Sequence, residues 1–243
     1  MRPDDKKAAA GADTAALRPT DPEASARYCR LEQIDPGLWR RLEGLVAERP
    51  RLPAGVVELE PGRSLAFSWF NRRVVIEPAA RFLRYLDEPP LPSPAGPLPP
   101  AGAEPGYQEG LVILTLLDYL LSGSGRLPEP GGLVNEHHLP GGTTFFRGPH
   151  VMASVLIANR YARNGAGFLA AGRAWGGRQV SYGEFGLSFT LFPGLDWIVA
   201  LWEADEEFPA RAQYLFDRSL GEMFRLDVIW AIGNLMAAKL AAS

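Results

Sequence analysis

The sequence predicts an α+β fold, in which an antiparallel β-sheet packs against a buried central helix and a C-terminal helix. Three patterns indicate this fold. Large apolar side chains alternate with small or polar ones over residues 185–191, as in a strand with one buried face. Residues 107–121 are apolar around nearly the whole circumference of a helix, which is typical of a core helix. Residues 227–236 carry apolar side chains at helical spacing.

The composition limits the classes of protein to which the chain can belong. Its 243 residues, of which 47% are hydrophobic, can bury a full core. The formal net charge of -3 and the scattered arginines argue against a nucleic-acid partner. No segment approaches the roughly 18 consecutive apolar residues of a membrane span, so we expect a soluble cytoplasmic protein. Cys29 is the one cysteine, which excludes an iron–sulfur cluster held by this chain alone.

The first elements are helical. Residues 1–20 are polar and alanine-rich, which predicts a flexible tail before a smaller unit over residues 21–87. A helix opening at Asp21-Pro22-Glu23 and an apolar pattern interrupted at Asp35-Pro36 predict two short helices at the start of this unit.

A β-meander follows these helices. Apolar residues over 55–77, divided by Pro61-Gly62 and by Asn71, predict three strands. We expect residues 79–86 to add a helical turn. Residues 88–106 contain eight prolines and three glycines, a composition that predicts an extended linker.

The main domain is predicted over residues 107–243. It starts with the central helix. The elements expected next are a short strand over 133–135, a turn at Pro140-Gly141-Gly142, and helical segments over 149–174 interrupted at Asn164-Gly165.

The central feature of this domain is a predicted hairpin. Pro193-Gly194 fits the middle of a type II turn that follows strand 185–191. The returning strand, 197–202, is apolar on both faces and should lie inside the sheet, and residues 214–216 predict a further strand. The last helices are predicted from a capping box at Ser219 and Glu222, a cap at Asp227, and a stripe of Val228, Ile232, Leu235 and Met236.

An acidic, aromatic segment follows the hairpin, with the sequence Trp202-Glu203-Ala204-Asp205-Glu206-Glu207-Phe208-Pro209. Glu203 beside Trp202 is the carboxylate we expect in a pocket, where it would act as an acid or base together with Asp217. The alternative is a solvated strand end, in which Asp217 binds backbone amides of the next turn. Because carboxylates suit Mg²⁺ and Ca²⁺, the candidate metal ligands are Asp205, Glu206 and Glu207.

A second polar concentration contains the three histidines. His137, His138 and His150 lie close to Glu136 in sequence, and imidazole with carboxylate can bind Zn²⁺ or the metal of a tetrapyrrole. If His137 and His138 lie on a strand, they point to opposite faces, so at most one joins a given site. The candidate cofactor-binding residues are these three histidines, together with Trp202 of the acidic segment. The alternative is that the histidines are turn and edge residues.

Four segments carry a resemblance to a known family. They are Leu116-Leu117-Asp118-Tyr119-Leu120, Leu139-Pro140-Gly141-Gly142, the acidic segment 202–209, and Leu215-Phe216-Asp217-Arg218-Ser219. In this order they resemble the DUF3786 family, over roughly residues 28 to 240. The family's members are mostly proteins of anaerobic bacteria and archaea without an assigned reaction, and some are fused to a cysteine-rich iron–sulfur domain of the kind found in corrinoid proteins. The resemblance implies an accessory role near metal-cofactor or one-carbon chemistry, with a metal-cofactor protein or a small organic ligand as partner.

These observations favour a cytoplasmic, non-enzymatic binding or accessory protein. One alternative is an enzyme that uses Glu203 and Asp217 in acid/base or magnesium-assisted chemistry, which requires the two carboxylates to meet in one cleft. Another alternative is a protein-interaction module that uses the segment 88–106 or an exposed sheet edge.

Overall fold

A computed structural model describes residues 34–48, 52–70, 72–86, 107–122, 129–192 and 194–242. These residues form seven α-helices and nine β-strands, and the strands make two antiparallel sheets. The α+β prediction is confirmed. The predictions for residues 1–33 and 88–106 lie outside the described residues.

The first sheet is a meander with the strand order β1-β2-β3-β4. Its elements are α1 (Pro36–Glu48), β1 (Val56–Glu60), β2 (Ser64–Trp69), β3 (Arg72–Glu77) and β4 (Phe82–Tyr85). The predicted helical turn over 79–86 is therefore wrong, and the meander has four strands where three were expected. The reason is that Leu83 and Tyr85 alternate into the core and pair with Ile76 and Val74 of β3.

The second sheet has five strands in the order β5-β9-β8-β7-β6. As predicted, the doubly apolar strand lies in the middle of the sheet. The elements in chain order are α2 (Tyr107–Ser122), β5 (Leu133–Val134), a 3-10 turn (Glu136–His138), α3 (Gly142–Phe145), a 3-10 turn (Gly148–His150), α4 (Ser154–Arg160), α5 (Gly165–Ala174), β6 (Arg178–Val180), β7 (Phe185–Phe192), β8 (Leu195–Trp202), β9 (Arg211–Asp217), α6 (Leu220–Met223) and α7 (Leu226–Ala241).

The β7–β8 hairpin forms as predicted, with Phe192 opposite Leu195 at the turn. Gly194 has a φ of +87°, which fits the third position of a type II turn; Pro193 lies outside the described residues. Phe189, Trp197 and Phe216 stand opposite one another on β7, β8 and β9 and are buried. The rings of Trp197 and Phe216 are 4.6 Å apart. This aromatic row fills the centre of the core.

Helices and the first sheet cover the second sheet. Helix α4 packs on β8 and β9, α5 packs on β7, and α7 packs on α4 and α2. Strand β2 contacts β7, and the Phe70 N–H donates to the Leu191 carbonyl at 3.4 Å. Gly172 brings α5 close to β7, since a Cβ at this position would collide with Leu187 Cδ1. The two sheets and the helices therefore share one hydrophobic core.

The ends of the last two helices differ from the prediction. Ser219 does not cap α6 with its side chain, because its hydroxyl binds Asp217. Helix α7 begins at Leu226, so Asp227 lies in the first turn and accepts from the Val228 N–H at 3.1 Å. The predicted stripe is shifted: the buried face of α7 carries Ile229, Ile232, Met236 and Leu240.

Candidate functional site

The segment between β8 and β9 forms a compact turn fixed by Asp205. Asp205 Oδ1 accepts from the backbone N–H of Phe208 at 2.7 Å and of Glu207 at 2.8 Å. The Asp205 N–H donates back to the Phe208 carbonyl at 3.0 Å. The hydrogen bonds from Phe208 and Glu207 lower the pKa of the Asp205 carboxyl. The turn therefore has a defined shape, and it carries Phe208 with 66% of its surface exposed.

Glu203 joins this turn to the start of α5. Its Oε1 accepts from the Gly165 N–H at 2.5 Å, and the Asn164 side chain accepts from Gly167 N–H at 2.9 Å. These two acceptors satisfy N–H groups that a helix start leaves without partners. Next along the chain, the Ala204 N–H donates to the Ala162 carbonyl at 2.7 Å. Glu203 is thus a positioning residue that ties the β8–β9 segment to α5.

The turn between β6 and β7 lies at the same end of the sheet. The Glu184 N–H donates to the Leu201 carbonyl at 3.0 Å, and Glu184 Oε2 accepts from the Glu203 N–H at 2.8 Å. Tyr182 in this turn is exposed. Trp202 is half-buried, because the Arg211 guanidinium lies 4.0 Å above its ring.

Together these residues form one surface, which we call the acidic rim: Tyr182, Glu184, Trp202, Glu203, Asp205, Glu206, Glu207 and Phe208. Five of its members are sequence-predicted candidates, and the structure brings them together. Arg211 stacks on Trp202, and Arg163 follows Ala162, whose carbonyl accepts from the Ala204 N–H, so the five carboxylates of the rim outnumber these two guanidinium groups. Within the described residues, no three His, Cys, Asp or Glu side chains converge on a position suited to a metal ion.

Asp217 lies far from the acidic rim. It ends β9, whereas the rim lies beyond Arg211 at the start of that strand, about 20 Å away at the rise of an extended strand. Asp217 Oδ1 accepts from Gly131 and Ser219 N–H groups at 2.9 Å, and Oδ2 accepts from Gly132 at 3.0 Å. Partial burial alone would raise the pKa of Asp217, but these hydrogen bonds lower it overall.

This arrangement bears directly on the enzyme hypothesis. Glu203 and Asp217 do not meet in one cleft, and each binds backbone amides that hold a neighbouring segment. The alternative that Asp217 binds amides of the following turn matches the structure.

The histidines lie on turns rather than on a strand. His137 and His138 belong to the 3-10 turn that follows β5, because Asn135 accepts from the His137 N–H at 3.1 Å and from His138 Nδ1 at 2.6 Å. The strand assumption made for this pair is therefore wrong. His137 Nε2 lies 3.6 Å from Glu136 Oε1.

His150 sits apart from the pair, in an aromatic stack. Its ring lies 4.5 Å from the Phe145 ring and 5.7 Å from that of Trp230, and Trp230 Nε1 donates to the Val151 carbonyl at 3.3 Å. Beside the stack, three large apolar side chains are about half exposed. We call them the apolar patch: Val151, Val155 and Leu156. They lie at the start of α4, whose buried face carries Ile157 and Ala158.

A buried ion pair is the largest feature that the sequence patterns do not single out. Lys239 Nζ lies 3.0 Å from Glu109 Oε1, and the same oxygen accepts from Trp69 Nε1 at 2.8 Å. The Tyr85 hydroxyl also binds Glu109; burial first, and then the Glu109 charge and this hydrogen bond, raise the pKa of Tyr85. The sequence feature that could have indicated this pair is a charged residue among the apolar positions of each helix, Glu109 in α2 and Lys239 in α7.

Aromatic rings surround the ammonium group of this pair. Lys239 Nζ lies 4.6 Å from the Trp175 ring and 5.4 Å from the Phe70 ring. Phe70 has a φ of +47°, an uncommon conformation for a bulky residue, in the connection between β2 and β3. The cluster joins the first sheet, α2 and α7 in one contact network.

Two open grooves lie elsewhere on the surface and meet at Met223. One, of about 290 Å³, runs along Gly221–Leu226 beside Pro140. The other, of about 360 Å³, lies between α1 and α2, where Arg41 pairs with Asp118 at 2.5 Å. Neither groove is lined by the sequence-predicted site residues.

One of the comparisons with known proteins finds a match. A family model described as a domain of unknown function, DUF3786, matches residues 57–239. No curated protein and no solved structure matches the chain. Within the described residues, no helix has the length and apolar character needed to cross a membrane. The matched range contains both sheets apart from the first residue of β1, and on this match the chain belongs to the DUF3786 family.

Proposed function

We propose that this protein is a binding or accessory protein that docks a partner protein through the acidic rim. The observation that carries the proposal is the presentation of Phe208, which is 66% exposed on a turn held by three hydrogen bonds of Asp205, two to its carboxylate and one from its N–H. A large aromatic side chain fixed in one position contributes contact area at a low entropic cost of binding. Glu206 and Glu207 flank it and remain exposed.

The charges of the rim define the chemistry of the partner. A surface that receives Phe208 needs an apolar depression, and basic side chains around it would complement Glu206 and Glu207. Such an interaction weakens as salt concentration rises, because the paired charges lie at the exposed margin.

The exposed edge of the first sheet supports docking less well. Strand β1 is a sheet edge with Val57 and Leu59 exposed, but it carries a register irregularity between Glu58 and Glu60. Charges and bulges at an edge are features that prevent strand pairing. The alternative of a module that uses its sheet edge is therefore weaker than docking at the rim.

A cytoplasmic location and an association with a metal-cofactor protein belong to the same proposal. The second expectation comes from the family resemblance and is independent of which protein docks at the rim. It does not require this chain to hold the cofactor itself.

Photo-crosslinking tests the proposal. Phe208 is replaced by a photoreactive phenylalanine analogue in the full chain and irradiated in the cells that produce it. We expect crosslinks from position 208 that disappear when Glu206→Lys and Glu207→Lys are added. The matched control carries the analogue at Leu59, which is also exposed but lies on β1. Equal crosslinking from both positions, or products that survive both charge reversals, would contradict docking at the rim.

A further inference from the structure

We infer that the partner of the acidic rim is a second copy of this chain, and that Phe208 of each copy packs on the apolar patch of the other. The inference rests on the proposed function and names its partner. The two surfaces carry opposite charges beside exposed apolar side chains.

The apolar patch has the properties required to receive Phe208. Val151, Val155 and Leu156 are each about half exposed and adjoin the His150–Trp230 stack. Val155 and Leu156 lie in the first turn of α4, and Val151 lies three residues before that helix begins, so all three side chains are at one end of α4. An exposed apolar patch of this kind commonly marks an interaction site.

Arginines flank the patch on both sides. Arg147 is exposed and begins the turn that contains His150, whose N–H donates to the Arg147 carbonyl at 3.1 Å. Arg160 ends α4 one turn beyond Leu156 and is exposed. Guanidinium groups at these positions complement Glu206 and Glu207 beside an incoming Phe208.

The placement of the two surfaces favours a closed dimer over an open chain of subunits. The rim is joined to the end of α4 by the hydrogen bond between Ala204 N–H and the Ala162 carbonyl. The patch lies at the other end of α4, a helix about 10 Å long at 1.5 Å per residue. Two neighbouring surfaces that complement each other can meet twice about a two-fold axis, rim to patch and patch to rim.

The dimer is expected to be concentration-dependent and sensitive to salt. Four apolar side chains per copy form the contact, whereas a standard interface of about 800 Å² per partner contains roughly 20–30 residues a side. Screening of the carboxylate–guanidinium pairs should shift the equilibrium toward monomer.

Charge reversal with sedimentation velocity tests the inference on the full chain. The rim variant is E206K/E207K, and the patch variant is R147E/R160E. Each variant alone brings like charges together twice, and we expect a dissociation constant raised roughly tenfold or more. In an equimolar mixture of the rim variant and the patch variant, opposite charges meet at both contacts of a mixed dimer. We expect this mixture to recover the dimer. The matched control, E58K/E60K, makes the same charge change on β1 and should dimerise like the original chain.

The outcomes separate this inference from the proposed function. Sedimentation as a monomer at every concentration, a dimer that both reversals leave intact, or a mixture that stays monomeric would each overturn the second-copy assignment. If position 208 then crosslinks to another protein, docking at the rim stands with a different partner. If the dimer forms as expected, crosslinks from position 208 should contain two copies of this chain. Thermal unfolding of each variant confirms that the surface changes leave the fold intact.

Discussion

Lys239→Met removes one charge of the buried pair and leaves the other behind. The two side chains are only 13% and 9% exposed, so water cannot replace the lost partner. Glu109→Gln removes the opposite charge, but it keeps an oxygen that accepts from Trp69 Nε1. The double variant carries neither charge.

The expected free energies follow from burial. Breaking a buried ion pair on one side costs roughly 3–5 kcal/mol, because a charge is left uncompensated. The lower end applies to Lys239→Met, since Glu109 keeps hydrogen bonds from Trp69 and Tyr85. We expect about 3 kcal/mol for each single variant. The double variant should lose only about 1–2 kcal/mol, because replacing both charges by neutral groups of similar size is often nearly neutral.

Urea unfolding of the four proteins measures these differences by linear extrapolation. The coupling free energy is the cost of the double variant minus the sum of the single costs, and we expect it to be about −4 to −5 kcal/mol. A double variant that loses as much as the two single variants combined would show that the pair is not energetically coupled, and would refute the reasoning from burial.

Three further changes test other contacts. Asp217→Asn should cost about 1–2 kcal/mol at neutral pH through lost hydrogen bonds to Gly131, Gly132 and Ser219, as measured by urea unfolding. The folded-state pKa of Asp217 lies below its ordinary value, so the stabilisation from its carboxylate is present above about pH 4 and is lost as the pH falls through the folded pKa. The difference in unfolding free energy between the original chain and the asparagine variant should therefore shrink over that range. A difference that stays constant would contradict this expectation. Gly172→Ala should cost about 1–3 kcal/mol by collision with buried Leu187. The control Gly44→Ala, at an exposed position of α1, should gain up to about 1 kcal/mol; equal melting temperatures would argue against close α5–β7 packing. Arg211→Ala should uncover Trp202 and increase acrylamide quenching of tryptophan fluorescence, and unchanged quenching would count against the stacked guanidinium.

Period-two patterns predicted the strands well, because one buried face imposes the alternation locally. Strand β7 shows this alternation, whereas β8 is apolar on both faces and is central, as two apolar faces require. Strand β4 has only four residues, of which two face the core, and that is too short for a reliable pattern. The capping box at Ser219 fails for a different reason: the hydroxyl binds Asp217.

The candidate residues of the β8–β9 hairpin divide according to their position along it. Trp202, Glu203 and Asp205 come together because they are consecutive around one turn. Asp217 belongs to the same hairpin, but strand length separates it from them, and strand length is hard to judge from sequence. The Glu109–Lys239 pair joins residues that are distant in sequence, so no local pattern contains both.

The Glu109 cluster has a consequence for the order of folding. Its members come from β2, β4, α2 and α7, so Trp69 finds its acceptor, Glu109, only after α2 has docked. The Glu109 charge is paired by Lys239, which lies 130 positions further along the chain (239 − 109). Contacts of such sequence separation are slow to form, because a long loop must close first. A nascent chain that lacks α7 therefore carries a carboxylate without its counter-charge in an apolar setting, and we expect it to depend on chaperone protection until synthesis has passed Lys239.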